Sequence, residues 1–153
     1  MPVRVQIAGV SSLDEALALE RAGADALGFT LRLPTGIHDG LTETTARGIV
    51  AALPPFISTV VITYVDNARE ATDLCRYLGV TAIQLHGAFP MRDLELLRAA
   101  LPHIKIVRAV HVTGSEAIGA ARALERQAWL GADRTSGRPI SSHARARCWR
   151  PGA

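Results

Sequence analysis

Residues 57–64 read Ile-Ser-Thr-Val-Val-Ile-Thr-Tyr, a nearly continuous run rich in β-branched residues. A strand of this composition is typical of a parallel sheet that is covered on both faces, whereas a strand with one solvated face alternates apolar and polar residues. Asn67 and Glu70 follow at the spacing of a helix start, and the pattern predicts a helix to about Leu78. The strand and the helix together predict one unit of an alternating α/β fold.

The same alternation of strand and helix recurs on both sides of this unit. The predicted strands are Val3–Ala8, Ala26–Leu31, Ile57–Tyr64, Ala82–Leu85 and Lys105–Val110. The predicted helices are Ser12–Ala22, Thr42–Ala52, Asn67–Leu78, Pro90–Ala100 and Ser115–Glu125. Units of about 25 residues with this alternation predict a parallel sheet covered by helices and joined by right-handed crossovers.

Composition limits the classes of protein that remain. The chain has 153 residues, 48% of them hydrophobic, which is enough for a globular core. No apolar run approaches the roughly 20 residues of a membrane span, and no signal peptide is recognisable, so we expect a cytoplasmic protein without a membrane partner. Cys75 and Cys148 lack the spacing of metal ligands or of a disulfide framework.

Four ordered segments carry a resemblance to a known family. They are Val5-Gln6-Ile7-Ala8-Gly9-Val10, residues 21–29 (Arg-Ala-Gly-Ala-Asp-Ala-Leu-Gly-Phe), residues 49–55 (Ile-Val-Ala-Ala-Leu-Pro-Pro) and Gln84-Leu85-His86-Gly87. Together they resemble phosphoribosylanthranilate isomerase, a TIM-barrel enzyme of tryptophan biosynthesis. The resemblance implies (β/α) units of TIM-barrel type, about five of eight. It also implies the Amadori rearrangement of N-(5-phosphoribosyl)anthranilate, a phosphosugar substrate, and neither metal nor cofactor.

Residues after 127 differ in kind from the repeated units. They are rich in Arg, Ser, Gly and Pro, show no apolar period, and hold five arginines against the single acid Asp133. We therefore expect a partial (β/α)-barrel domain over residues 1–127 and a basic tail, disordered or divergent, over residues 128–153. The tail lacks interleaved aromatic residues, so nucleic acid is not an expected partner. Sheet edges left open by five units predict self-association.

The resemblance also places the expected site at the carboxyl ends of the strands. It implies a cysteine general base at the end of the first strand, where this chain has Ala8, and an alanine methyl takes no proton. The general acid, an aspartate after a sixth strand, has no identifiable counterpart. We therefore expect no confident catalytic residue and an impaired or inactive enzyme, with Gln84, His86 and Arg108 as substrate-binding residues.

Further polar residues near these strand ends have competing explanations. Arg32 or His38 is a candidate to hold the anthranilate carboxylate, although a solvated loop position explains each. Asp66 and Asn67 are candidates for a sugar contact, although a helix N-cap explains them equally. Cys75 lies at an apolar helix position that is more typical of core than of a nucleophile.

Besides the impaired isomerase, which is the first possibility, the sequence leaves two other kinds of function open. The chain is alternatively a non-catalytic relative that binds a phosphosugar or an anthranilate-like ligand, or a barrel fragment that depends on a partner. A different sugar-phosphate isomerase that uses His86 and Asp66 as acid and base is the third possibility.

Overall fold

The computed structural model describes residues 3–34, 41–111 and 114–130, with the side chains of 125–130 excepted. The chain divides into a unit spanning Met1–Ala109 and a unit spanning Val110–Ala153. The first unit holds the sheet and four helices, and the described part of the second holds one helix. The expected boundary at residue 127 lies inside that helix, and residues 131–153 of the predicted tail lie outside the described residues.

Strands and helices alternate along the chain as the sequence predicts. The strands are β1 (Gln6–Ala8), β2 (Ala26–Thr30), β3 (Ser58–Thr63), β4 (Ala82–Leu85) and β5 (Lys105–Arg108). The helices are α1 (Leu13–Arg21), α2 (Glu43–Ala52), α3 (Ala68–Leu78), α4 (Met91–Ala100) and α5 (Glu116–Leu130). The strands form one parallel sheet in the order β1-β2-β3-β4-β5, which confirms the expected parallel (β/α) architecture.

The first strand is shorter than the sequence predicts, because its neighbour starts late. β2 begins at Ala26, so the residues before Gln6 have no ladder partner on that strand. Val5 instead pairs with the turn that precedes β2, since its carbonyl accepts from the amides of Asp25 and Ala26 and its own amide donates to Asp25 Oδ2 at 2.8 Å. This amide and the Arg4 guanidinium lower the pKa of Asp25. The Asp25 side chain thus holds the backbone just before β1 in place.

Three predicted helix starts are confirmed by side-chain caps. Ser12, Thr42 and Asn67 each accept a hydrogen bond from the amide three residues further on, at 3.2, 3.1 and 2.9 Å. Such a bond satisfies one of the amides that a helix start leaves without a partner. Glu15 accepts from the amide of Ser11 at 3.0 Å, so the return contact of this cap ends one residue before Ser12.

The two faces of the sheet bury different sets of side chains. One face packs against α1–α4 and forms the main core, which includes Leu27, Phe29, Val61 and Ile83. We call the opposite side of the sheet the inner face. Its described residues include the small cluster Val60, Ile62 and Ala82 with Ala26 packed against it. Because successive side chains on a strand point to opposite faces, the inner face also receives Gln6, Ala8, Gln84 and Val107.

Gly28 allows β1 and β3 to approach each other on the inner face. A Cβ atom at this position would lie 2.7 Å from Ile62 Cδ1 and 3.2 Å from Ala8 Cα. Ile62 can turn its terminal methyl away, but the backbone of Ala8 must itself move. A side chain at position 28 therefore disturbs the place where the first strand meets the inner face.

We expect Gly28→Ala to destabilise the protein by about 1–2 kcal/mol, the range of mild overpacking. Ile62→Val removes the Cδ1 methyl, so the double variant should recover part of the loss. The measurement is the free energy of unfolding in urea. Gly48→Ala is the matched control, because Gly48 is exposed in α2 with no atom within 4 Å of an added Cβ, and it should stabilise by about 0.5–1 kcal/mol. Equal effects at the two glycines would contradict the packing argument.

Candidate functional site

A chain of three polar side chains crosses the inner face. Gln6 Nε2 on β1 donates to Gln84 Oε1 on β4 at 3.0 Å, and Gln84 Nε2 lies 2.7 Å from Nε2 of His86. Strands three places apart in a flat sheet are about 14 Å apart, and their side chains stand perpendicular to the sheet without meeting. The Gln6–Gln84 bond therefore shows that the sheet curls and that its inner face is concave.

His86 lies just after β4 and is held by backbone and ring contacts. Its amide donates to the carbonyl of Thr63 at 3.0 Å, which continues the β3–β4 ladder by one residue. Its ring centroid is 5.4 Å from that of Tyr64, with the two planes tilted by 36°. A Cβ added to Gly87 would make only ordinary van der Waals contact with Tyr64, so the space at Gly87 does not by itself require glycine.

Ala8 stands at the carboxyl end of β1 and is exposed on the inner face. Its register partner is Gly28, which has no side chain to cover it. The chain then turns at Gly9, which adopts φ 84°, a conformation that glycine reaches without strain. The amides of Gly9 and Val10 both donate to the carbonyl of Gly28, at 3.0 and 3.1 Å. The methyl of Ala8 is thus firmly positioned but carries no atom that exchanges a proton.

Arg108 lies on the other side of the sheet from Gln84. Its register partner on β4 is Leu85, which belongs to the helix-facing core. Arg108 Nη1 donates to the carbonyl of Phe89 at 3.1 Å, and the guanidinium carbon lies 6.0 Å from the Phe89 ring centroid. Burial lowers the pKa of Arg108, and its buried Nε has no hydrogen-bond partner among the described residues. The structure brings Gln84 and His86 together but does not bring Arg108 to them, so substrate binding by these residues stays a prediction.

Arg32 is already occupied by acidic side chains. Its Nε and Nη2 donate to the two carboxylate oxygens of Glu43 at 2.8 and 3.2 Å, and Nη1 lies 4.0 Å from Glu70 Oε2. The hydrogen bonds to Glu43 raise the pKa of Arg32. Arg32 has φ 53°, a conformation uncommon for any residue with a side chain. Its role in the structure is to join the loop after β2 to the first turns of α2 and α3. His38, the other candidate, lies outside the described residues.

Asn67 acts as a helix N-cap, which is the alternative to a sugar contact that the sequence offered. Its Oδ1 accepts from the amide of Glu70, while its Nδ2 donates to Asp66 Oδ1 at 3.2 Å and to Glu70 Oε1 at 3.0 Å. Both ends of the Asn67 amide are therefore engaged within the loop and the first turn of α3.

The described residues hold neither a cluster of metal ligands nor a membrane-spanning helix. Within residues 3–34, 41–111 and 114–124, no three His, Cys, Asp or Glu side chains come together as metal ligands would. No helix in the described part of the chain is both long and apolar enough to cross a lipid bilayer.

Gln6 is the site residue that sequence reasoning missed. The sequence shows it only as a member of the segment Val5–Val10, without a role of its own. The available signal was positional, since Gln6 and Ala8 alternate onto the same face of one strand. What the sequence does not contain is the curvature that brings Gln6 to Gln84.

The fold and the polar chain on its concave face define part of a (β/α)-barrel of the TIM type. No protein-family profile matches the chain. It is 32% identical over 123 residues to N-(5'-phosphoribosyl)anthranilate isomerase 2 of Methanosarcina mazei, covering 80% of this chain and 54% of that protein. It is 38% identical over 96 residues to the corresponding isomerase of Haloferax volcanii, covering 63% of this chain and 43% of that protein. The chain is therefore related to the phosphoribosylanthranilate isomerases.

Solved structures give the same result. Phosphoribosylanthranilate isomerase from Thermotoga maritima superposes with a TM-score of 0.71 at 30% identity, over 82% of this chain and 58% of that one. A second structure with the same TM-score and identity holds reduced 1-(o-carboxyphenylamino)-1-deoxyribulose 5-phosphate. The resemblance and the TIM-barrel type of fold are confirmed. The chain spans about half the length of the curated relatives that it matches.

Cys75 should be unreactive in the native protein. It is 2% exposed in α3, and burial raises its pKa to about 12. At pH 8 this pKa leaves about one thiol in 10⁴ ionised, so iodoacetamide should label native Cys75 on the order of 10³-fold more slowly than an exposed cysteine. Mass spectrometry of a Cys148→Ser variant measures this site alone. The same variant in denaturant is the control and should label fast; fast labelling without denaturant would restore Cys75 as a candidate nucleophile.

Proposed function

We propose that this chain is a phosphoribosylanthranilate isomerase-like protein that is impaired in catalysis by its own residues. The reaction class is the Amadori rearrangement of N-(5-phosphoribosyl)anthranilate in tryptophan biosynthesis. Relatedness to the isomerases supports the reaction class. The single observation that carries the impairment is the exposed Ala8 at the carboxyl end of β1.

The chemistry of the rearrangement explains why Ala8 matters. Conversion of an aminoaldose to an aminoketose needs an acid that helps to open the sugar ring and a base that removes the proton at the sugar C2. A positioned general base typically contributes 10²–10⁴-fold to the rate. The resemblance implies that this base stands at the position of Ala8, whose methyl neither accepts nor donates a proton.

Binding of a phosphosugar by the inner face is the second part of the proposal. Gln84 and His86 are half-buried polar groups on a concave surface, which is the usual setting for the few orienting groups of a ligand site. The relative with a bound 1-deoxyribulose 5-phosphate derivative supports a ligand of this class. Arg108 is also proposed to bind an anion. Its guanidinium lies beside the carbonyl of Phe89, so the anion would have to approach from that side.

A non-catalytic role is the second candidate, and the same Ala8 favours it. A protein that binds a phosphosugar or an anthranilate-like ligand without isomerising it has no need for a base there. Among the described strands β1 pairs only with β2 and β5 only with β4, and a strand with one such neighbour is where a partner or a second copy would add. A cytoplasmic location and a basic segment over residues 128–153, whose first residues continue α5, belong to the same proposal.

The test compares residue 8 in a chimera of residues 1–109 with the remaining part of the Methanosarcina mazei relative. We expect the chimera with Ala8 to be nearly inactive and Ala8→Cys to raise kcat/KM by about 10²-fold or more. Ala8→Ser is the matched control and should give no comparable gain, because a serine hydroxyl is a poor base at neutral pH. Isomerase assays and rescue of a tryptophan auxotroph that lacks the isomerase provide the two measurements.

Each other result assigns the chain differently. Full activity with Ala8 would refute the proposed impairment. A folded Ala8→Cys chimera that gains nothing, yet binds the reduced 1-deoxyribulose 5-phosphate derivative in calorimetry, would favour the non-catalytic binding protein. A folded chimera that neither turns over nor binds would remove the phosphosugar site from this chain.

A further inference from the structure

We propose that Gln6 is a positioning residue that acts through Gln84 to fix the proton of His86 on Nδ1. The inference concerns which atoms donate and which accept in the contacts from Gln6 through Gln84 to His86, and it does not depend on the proposed function. The three side chains lie on β1, on β4 and just after β4, and two contacts of 3.0 and 2.7 Å join them.

The donor and acceptor roles of the three side chains follow from the chemistry of the amide group, in which the nitrogen donates and the oxygen accepts. Gln6 Nε2 carries hydrogens only, so the atom of Gln84 that it contacts must be the acceptor oxygen. The other end of Gln84, the Nε2 amide, is then the one that faces His86. That end is also a donor, and so Nε2 of His86 must supply the lone pair. A neutral imidazole that accepts at Nε2 carries its proton on Nδ1.

The alternative arrangement is a complete reversal and not a local change. If His86 carried its proton on Nε2, Gln84 would have to turn its oxygen toward the ring. Its amide would then face Gln6, which would have to turn as well to offer its own oxygen. The two glutamines and the imidazole therefore change together, so a substitution that fixes the donor or acceptor character at position 6 shifts the balance between the two states.

This state has a chemical consequence for His86. The only lone pair of a neutral imidazole in this tautomer is at Nε2, and Gln84 occupies it. His86 is consequently not set up to remove a proton through that nitrogen, and a protonated Nδ1 acts in hydrogen bonds only as a donor. The arrangement argues against the third possibility left by the sequence, in which His86 and Asp66 exchange protons with a substrate.

The experiment reads the tautomer directly in the full 153-residue chain. Long-range 1H–15N NMR of the imidazole ring at pH 8.5 separates a nitrogen that carries the proton from one that does not. The His86 signals are assigned by their loss in His86→Phe. We expect the wild type to show the proton on Nδ1. A wild-type ring with its proton mainly on Nε2 would overturn the proposal at once.

Substitution of Gln6 tests whether it controls this choice. The carboxylate of Gln6→Glu only accepts, so Gln84 must turn its amide toward it and its oxygen toward His86. We expect the tautomer ratio to move toward Nε2–H by about three- to ten-fold, the factor of one ordinary hydrogen bond. Gln6→Leu removes the donor without supplying an acceptor and should give a smaller shift in the same direction. An unchanged ratio in both variants would show that Gln6 does not position the ring.

A double variant separates the hydrogen-bond chain from a through-space charge effect. Gln84→Met keeps a side chain of similar length and removes the connecting amide. In this background Gln6→Glu should leave the His86 tautomer unchanged. A shift of the same size would mean that the new charge acts directly on the ring, which would refute transmission through Gln84. Because no ligand or turnover enters these measurements, their failure and the failure of the proposed function are distinguishable.

Discussion

Burial of one side of the parallel sheet under α1–α4 is the constraint on which the rest of this structure depends. Phe29, Val61, Ile83 and their neighbours leave water only if alternate residues of every strand face the helices. The residues between them are then committed to the inner face, whatever their polarity. Gln6, Ala8 and Gln84 share a surface for this reason, and the curl of the sheet makes that surface concave.

The inner face combines a narrow apolar floor with polar side chains that cross it. Val60, Ile62 and Ala82 form the floor, and the absence of a side chain at Gly28 lets β1 lie against it. The polar side chains of Gln6, Gln84 and His86 cross the same face. Under the proposed function this surface orients a ligand while Ala8 supplies no proton acceptor, so binding and catalysis are separate properties. This separation is why activity and ligand affinity have to be measured independently.

Much of the fold could be predicted because its signals are local. Ser12, Thr42 and Asn67 cap their helices through a hydrogen bond to the amide three residues further on. The apolar, β-branched composition of β3 is sufficient to predict a buried strand. Val3–Val5 were wrongly included in the first strand, because strand limits depend on where the neighbouring strand begins. Of the three residues predicted to bind substrate, Gln84 and His86 lie together and Arg108 contacts Phe89, and their role in binding stays a prediction. The contact of Gln6 with Gln84 was not predicted.

The sequence by itself determined the alternation of strands and helices, the helix caps, the relatedness to the isomerases and the alanine at position 8. These features depend on residue identity or on residues close together along the chain, and the amino-acid sequence specifies both. Only the tertiary structure decided which polar groups meet. Gln6 and Gln84 are 78 residues apart and become partners only because the sheet curls, and Arg108 is turned from them by the strand's two-residue alternation. Contacts of this kind depend on register and curvature, which arise from the packing of α1–α4 on the sheet as a whole.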